Sequence, residues 1–318
     1  MKNIKVLTID GGGIRGVAIL PQLRKLEKEL KGTIVNNFDY LGLNSTSGII
    51  GVLLAIGYSV DQVEEFYFKH GENIFKKKPF RWGIFKSKYD VDFFEKILDE
   101  IIGDKKLSDL NINIVVSATN YSNRYDDKLV FLFKSERARL DPSADFYLKD
   151  VVRATTAAPI YFKGFKITSV DGKTKLLLGD GGLCINNPSH MTFIEATRNN
   201  PGCEISVLSY STGMKIPSLD KQQKDENNFY TKGILDNVDD VIDIQMKANQ
   251  IIADFNMRAA VEEKRCKAYL RLKTNISYSD GKIDNASYNN MLDLKRDGQA
   301  SAESNNMLLK HFIEVMNY

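Results

Sequence analysis

The sequence predicts an α/β chain folded as a three-layer α/β/α sandwich around a central, mostly parallel sheet. Three observations carry that expectation. Short apolar runs of strand length alternate with longer segments of helical periodicity along the whole chain. Twice in the first fifty residues a strand pattern runs into a turn of small residues and then into an apolar helix pattern, as a parallel strand runs into its crossover helix. The 318 residues, 43% hydrophobic and 27% charged, suffice for one large core and rule out intrinsic disorder as a description of the whole.

Lys5 to Ile9 is an apolar strand that enters Asp10-Gly11-Gly12-Gly13, after which Val17, Leu20, Leu23, Leu26 and Leu30 recur at helical spacing. Phe38 to Asn44 forms a second strand, Ser45 opens a turn, and Gly48 to Ile56 is apolar all round, as a buried helix is. Helical periodicity returns over 60–70 and 91–102. Between these lies a basic and aromatic segment, Phe75 to Tyr89, expected to form a lid-like insertion at about 73–90. Asn113 to Ser117 and Leu129 to Phe133 are strands, and Leu148 to Ala158 is a helix stopped by Pro159. Leu176 to Leu178 is a strand that delivers Asp180-Gly181-Gly182, and Glu204 to Leu208 is another. A polar loop over 219–233 precedes a long helix near 236–264, a strand from Tyr269 to Lys273 and two further helices, so the part from about 235 to 318 is mainly helical. Without an internal repeat, the expectation is one domain over 1–318.

Charge and cysteine content narrow the function. Lys plus Arg number 44 against 41 Asp plus Glu, a net +3 that supplies no whole-molecule field for a nucleic-acid polymer. Cys184, Cys203 and Cys266 are widely spaced and form no CxxC pair, which fits neither a disulfide framework nor a metal site and points to a reducing, cytoplasmic compartment. The start, MKNIKVLTID, lacks a secretion signal's pattern, and no run reaches the roughly 18 apolar residues of a spanning helix. Any lipid is therefore met from outside, as a peripheral visitor to the membrane.

Two motifs and one carboxylate bear on chemistry. Gly11-Gly12-Gly13-Ile14-Arg15-Gly16 satisfies G-x-G-x-x-G between a strand and a helix, where convergent N–H groups hold a phosphate or an oxyanion, or simply pack the turn. Asp10 beside that anion site, and the lack of an acidic ribose ligand about 20 residues on, favour the oxyanion over a dinucleotide. Ser45, in Leu43-Asn44-Ser45-Thr46-Ser47-Gly48, sits where a nucleophile elbow exposes its hydroxyl; helix N-capping is the plain alternative, and Ser47 is a second candidate hydroxyl. The G-x-S-x-G elbow has glycines where this chain has Leu43 and Ser47, and Leu43 fits only if its neighbours have been trimmed. His70, His190 and His311 have structural contexts, so the base comes from another residue type. Asp180, at the end of an apolar strand, has the placement for it.

Taken together, Asp10 to Gly16, the serine turn, and Asp180-Gly181-Gly182 followed by Asn186-Asn187-Pro188 resemble the patatin-like phospholipase family in its bacterial form. Phe38-Asp39-Tyr40, Ala154 to Pro159 and Ile283 to Ser287 are similar too, so the likeness covers nearly the whole chain. The resemblance implies a Ser45–Asp180 dyad, an oxyanion hole of Gly11, Gly12 and Gly13, and Arg15 anchoring that loop. Gly16, Gly181 and Gly182 complete the motifs. It implies hydrolysis of phospholipid or lysophospholipid esters at a phospholipid membrane surface, with no cofactor and no metal. A lipid-binding or regulatory protein with an impaired elbow, and a nucleotide-binding module, are the alternatives. Some bacterial relatives are switched on by small nucleotides, which no residue here identifies for this chain; self-association is left open.

Overall fold

The computed structural model describes residues 2–76, 88, 89, 91–123, 125, 127–215 and 238–318. In chain order its main elements are β1 (Asn3–Ile9), α1 (Leu20–Leu30), β2 (Tyr40–Leu43), α2 (Thr46–Ala55), α3 (Val60–Ile74), α4 (Asp92–Ile102), β3 (Asn113–Asn120), β4 (Val130–Lys134) and α5 (Leu148–Thr155). These are followed by β5 (Phe165–Thr168), β6 (Lys175–Asp180), α6 (Ser189–Asn199), β7 (Glu204–Tyr210), α7 (Val238–Glu262), β8 (Ala268–Leu272), α8 (Tyr288–Ser304) and α9 (Asn306–Asn317).

All eight strands join one sheet of order β5-β6-β3-β2-β1-β7-β8, with β4 also paired to β3. The run β3-β2-β1-β7-β8 is parallel, whereas β4 and β6 meet β3, and β5 meets β6, in antiparallel pairs. The parallel core arises because β1 reaches β2, β2 reaches β3 and β7 reaches β8 through helices long enough to return the chain to the same end. Strand order reverses at β1, whose neighbours are β2 and β7, and the glycine loop leaves the sheet there, at the carboxyl end where α/β sheets open a crevice.

Period-two alternation divides the strand side chains between two layers. Val6, Tyr40, Val115 and Val207 pack under α6 and α7 with Phe193, Ala196, Met257 and Ala260. Their sequence neighbours Leu7, Leu41, Val116 and Leu208 join the larger cluster on the other face, with α1 to α5, α8 and α9. Each fully buried Leu or Val of these layers contributes roughly 1.5–3 kcal/mol by leaving water.

Three differences from the expected elements have physical causes. Gly13–Ile19 winds as a 3-10 helix before α1, because Pro21 has no N–H to offer Val17, whose carbonyl takes the Leu20 N–H instead. β5, four residues at the sheet edge, is too short to show a pattern. Helix α5 ends at Thr155, ahead of the expected Ala158, and Thr156 to Ala158 turn the chain toward Pro159. Within the expected lid-like insertion, 77–87 and 90 lie outside the described residues, as does the expected polar loop over 219–233.

Candidate active site

The turn from β2 to α2 holds Ser45 at φ 48°, ψ −126°, a conformation that costs a non-glycine residue about 1–3 kcal/mol. Surrounding hydrogen bonds keep it there. The Ser45 N–H donates to Thr155 Oγ1 at 2.8 Å, while that hydroxyl donates to the Ser117 carbonyl at 2.7 Å. Asn44 Nδ2 donates to the Ile185 and Asn186 carbonyls at 2.6 and 2.8 Å. The Ser47 hydroxyl accepts the Asn44 N–H at 2.8 Å and lies 2.7 Å from the Ile9 and Asn44 carbonyls, so it staples the turn rather than facing the crevice. The Ser45 hydroxyl caps no helix N–H.

Leu43 finds its space on α2. A Cβ on Gly51 would stand 2.3 Å from Leu43 Cδ1, so the glycine one and a half turns into the helix is what admits the leucine at 1% exposure. The trimmed neighbour that Leu43 demands is Gly51.

Asp180 reaches the serine from the opposite direction. β6 runs antiparallel to β3, pairing Asp180 with Ala118, two residues beyond the point where Leu43 of β2 pairs with Val116. Ser45 Oγ consequently donates to Asp180 Oδ2 at 2.7 Å, and Gly182 N–H donates to Oδ1 at 2.6 Å. Burial pushes the Asp180 carboxyl up to about 6, against the opposing pull of those two hydrogen bonds. Gly181 packs its bare Cα on the Ser117 carbonyl of β3.

The glycine loop divides its tasks. Gly11 N–H donates to the Asn186 carbonyl at 3.2 Å and the Gly11 carbonyl accepts from Thr212 Oγ1 at 2.6 Å, so Gly11 fixes the loop and its N–H is engaged. Gly12 and Gly13 line the crevice beside Ser45 and Asp180, and among the described residues their N–H groups have no acceptor. Gly13 takes φ 57° against the Ile283 carbonyl, which a Cβ would meet at 2.1 Å and which accepts the Ile14 N–H at 2.8 Å. Arg15, 1% exposed, folds back so that Nε reaches the Gly12 carbonyl at 3.4 Å, and Gly16 lets this turn lie against Thr46. The Asp10 carboxylate is neutralised from β8: Arg271 donates Nη2 to Oδ2 at 2.6 Å and Nη1 to Oδ1 at 3.1 Å. This pairing offsets the negative charge that Asp10 brings close to the loop's anion site.

Above Ser45 opens a pocket whose walls are largely apolar, lined among others by Ile49, Ile74, Phe75, Phe94 and Phe162 and by Ile242 and Met246 of α7. Phe75, from the start of the lid-like segment, stacks edge-on with Tyr89 at 5.5 Å, and Lys88 pairs with Asp284. No histidine lines this pocket: His70 rests on Phe66, His190 is half-buried on α6, and His311 is exposed beside Glu314. Thr155, Asn186, Thr212 and Ile283 had no local signal of their own. Three of them lie in or beside stretches that carry the family likeness, Ala154 to Pro159, Asn186-Asn187-Pro188 and Ile283 to Ser287, whereas Thr212 lies in none.

A family model described as patatin-like phospholipase matches residues 7–193. Patatin-like protein 2 of Oryza sativa subsp. indica is 25% identical, over 99% of this chain and 88% of its own length. Calcium-independent phospholipase A2-gamma of Mus musculus is 30% identical, over 67% of this chain and 29% of its own. Human GIVD cytosolic phospholipase A2 in complex with methyl gamma-linolenyl fluorophosphonate matches in fold, with a TM-score of 0.50 at 11% identity, covering 99% of this chain and 59% of that one.

Proposed function

The chain belongs to the patatin-like phospholipase family, and on that premise we propose that it is a serine acyl-ester hydrolase of phospholipids or lysophospholipids working through Ser45 and Asp180. The observation that carries this reading is the 2.7 Å hydrogen bond from Ser45 Oγ to Asp180 Oδ2 at the floor of an apolar pocket. A fatty acyl chain suits walls of Ile and Phe, because burying it there removes methylene groups from water at about 0.8 kcal/mol each. Asp180 accepts the Ser45 proton as Oγ attacks the ester carbonyl. The tetrahedral oxyanion is held by the Gly12 and Gly13 N–H groups, and the proton passes to the leaving alcohol oxygen. Water, deprotonated by the same carboxylate, then attacks the acyl-serine; the C–Oγ bond breaks to release the fatty acid, and the proton passes from Asp180 back to Ser45 Oγ.

Docking as a peripheral protein on a phospholipid surface is part of the reading. Its support is composition: Lys76, Lys77, Lys78, Arg81, Lys86 and Lys88 stand among five aromatic residues, and each basic group near an anionic bilayer contributes on the order of 1 kcal/mol. Equal co-sedimentation of the wild type and a Lys76→Glu, Lys77→Glu, Lys78→Glu variant with anionic vesicles would remove this part.

Fluorophosphonate labelling tests the chemistry. The purified protein is expected to take up one equivalent and the Ser45→Ala variant none; labelling of both alike would sink the assignment of the nucleophile. The alternative of a lipid binder without turnover rests on Leu43 and Ser47 standing where the elbow has glycines; the room that Gly51 leaves for Leu43 supports the enzyme reading over it.

A further inference from the structure

Helix α7 is apolar on two sides. One side, with Met246, Ala253, Met257 and Ala260, is buried against the body of the protein. The other presents Val241, Ile244, Ile251, Ile252 and Phe255, which are 40 to 70% exposed, with Ala248 between them. A surface helix ordinarily gives its outward side to polar residues, and a continuous apolar stripe there marks an interaction surface. Val241, Ile244, Ala248, Ile251 and Phe255 follow one another at steps of three, four, three and four, the spacing of a two-helix seam. At 1.5 Å per residue the stripe runs for roughly 20 Å.

We propose that this stripe docks on the same stripe of a second copy of the chain, the two α7 helices antiparallel about a two-fold axis passing near Asn249 and Gln250. A two-fold contact must be complementary to itself, and this helix is so in one direction only. In the antiparallel arrangement Ile244 faces Phe255 and Ala248 faces Ile251 of the other copy, so that small meets large in each layer. The same axis sets Lys247 beside Asp254 of the other copy, twice. In a parallel arrangement Lys247 would lie beside Ile252 and Asp254 beside Ala259 of the other copy, so neither charge would meet its opposite. The helix carries five acidic and two basic residues and neither Trp nor Tyr, which disfavours an anionic lipid surface as the occupant.

Sedimentation velocity of the full chain over a concentration range tests the proposal. The wild type is expected to approach twice the 36.0 kDa of one chain, and Ile251→Asp, at a position 59% exposed, is expected to remain at the single-chain mass with an unchanged melting temperature. Register is read by mild oxidation, with the wild type as the control for native thiols. Ala248→Cys is expected to link to Ile251→Cys, and Ile244→Cys to Phe255→Cys and not to itself. A wild type that stays at single mass throughout, a dimer that survives Ile251→Asp, or self-linking of Ile244→Cys would overturn the proposal. So would an Ile251→Asp variant that loses binding to zwitterionic vesicles while the wild type is monomeric, which would assign the stripe to lipid.

Discussion

Asp180 is held between opposing influences on its proton, burial raising its pKa and the Ser45 and Gly182 donors lowering it, with a balance at about 6. In the proposed mechanism Asp180 must be ionised to accept the serine proton, so kcat/KM for ester hydrolysis is expected to climb about tenfold per pH unit below 6 and level off above it. A midpoint near 4 would mean that another group limits the rate. The same shift bears on stability. A carboxyl whose pKa is raised on folding favours the folded state fully below 3.8, its ordinary value, and that contribution is lost as the pH rises through about 6. The loss is on the order of 3 kcal/mol, at 1.36 kcal/mol per unit. Ser45→Ala and Asp180→Asn are each expected to lower turnover on the order of a thousandfold or more, with little further loss in the double variant, since the pair acts as one unit. Ser47→Ala is expected to keep the chemistry and lose roughly 1–3 kcal/mol of stability, by leaving the buried Asn44 N–H without its acceptor. Turnover that survives Ser45→Ala and fails in Ser47→Ala would exchange the two roles. Both hydroxyls were visible in the sequence, but which one faces the crevice depends on Thr155 and Ile9, which no local pattern ties to either serine.

The elbow shows how an element absorbs a departure from its usual pattern. Leu43 and Gly51 lie eight residues apart, on the strand and on the helix that follows it, and each makes sense only beside the other. Gly51→Ala is therefore expected to destabilise the fold by about 1–3 kcal/mol through overpacking, and Leu43→Ala in the same chain to recover part of that loss. Additive melting shifts would show that the two do not share the space. Leu43→Gly with Ser47→Gly, which restores the usual glycines, is expected to lower stability without raising turnover, because it empties a filled site. The strands and helices near this elbow were legible because burial on both faces makes continuous apolar runs. The direction of β6 was not: a three-residue pairing with β3 carries no periodicity that separates parallel from antiparallel.

At the scale of the molecule, the site is not finished by the residues that match the family model. β7 covers β1 over seven residue pairs, Thr212 holds Gly11, Arg271 neutralises Asp10 and Ile283 seats Gly13 and Ile14. A chain ending at Asn200 is expected to be insoluble, since β1 would become a bare apolar edge. Soluble, monodisperse material would refute that. Arg271→Met is expected to cost about 3–5 kcal/mol by stranding the buried Asp10 carboxylate, read as a lowered denaturant midpoint. The layered architecture was legible from alternating element types. The Asp10–Arg271 pair, separated by 261 positions, was beyond any local pattern, because only the assembled sheet brings β8 within reach of the loop after β1.

The spread of these contributions along the chain has a consequence in time. Synthesis delivers Ser45 early, its base 135 positions later, and the carbonyl that seats the glycine loop only at residue 283. A growing polypeptide on the ribosome thus exposes its serine for most of its elongation without the means to use it. On the proposed reading, lipid-ester hydrolysis is expected only late in synthesis, once the strands and loops that close the sheet on both sides of β1 have been delivered.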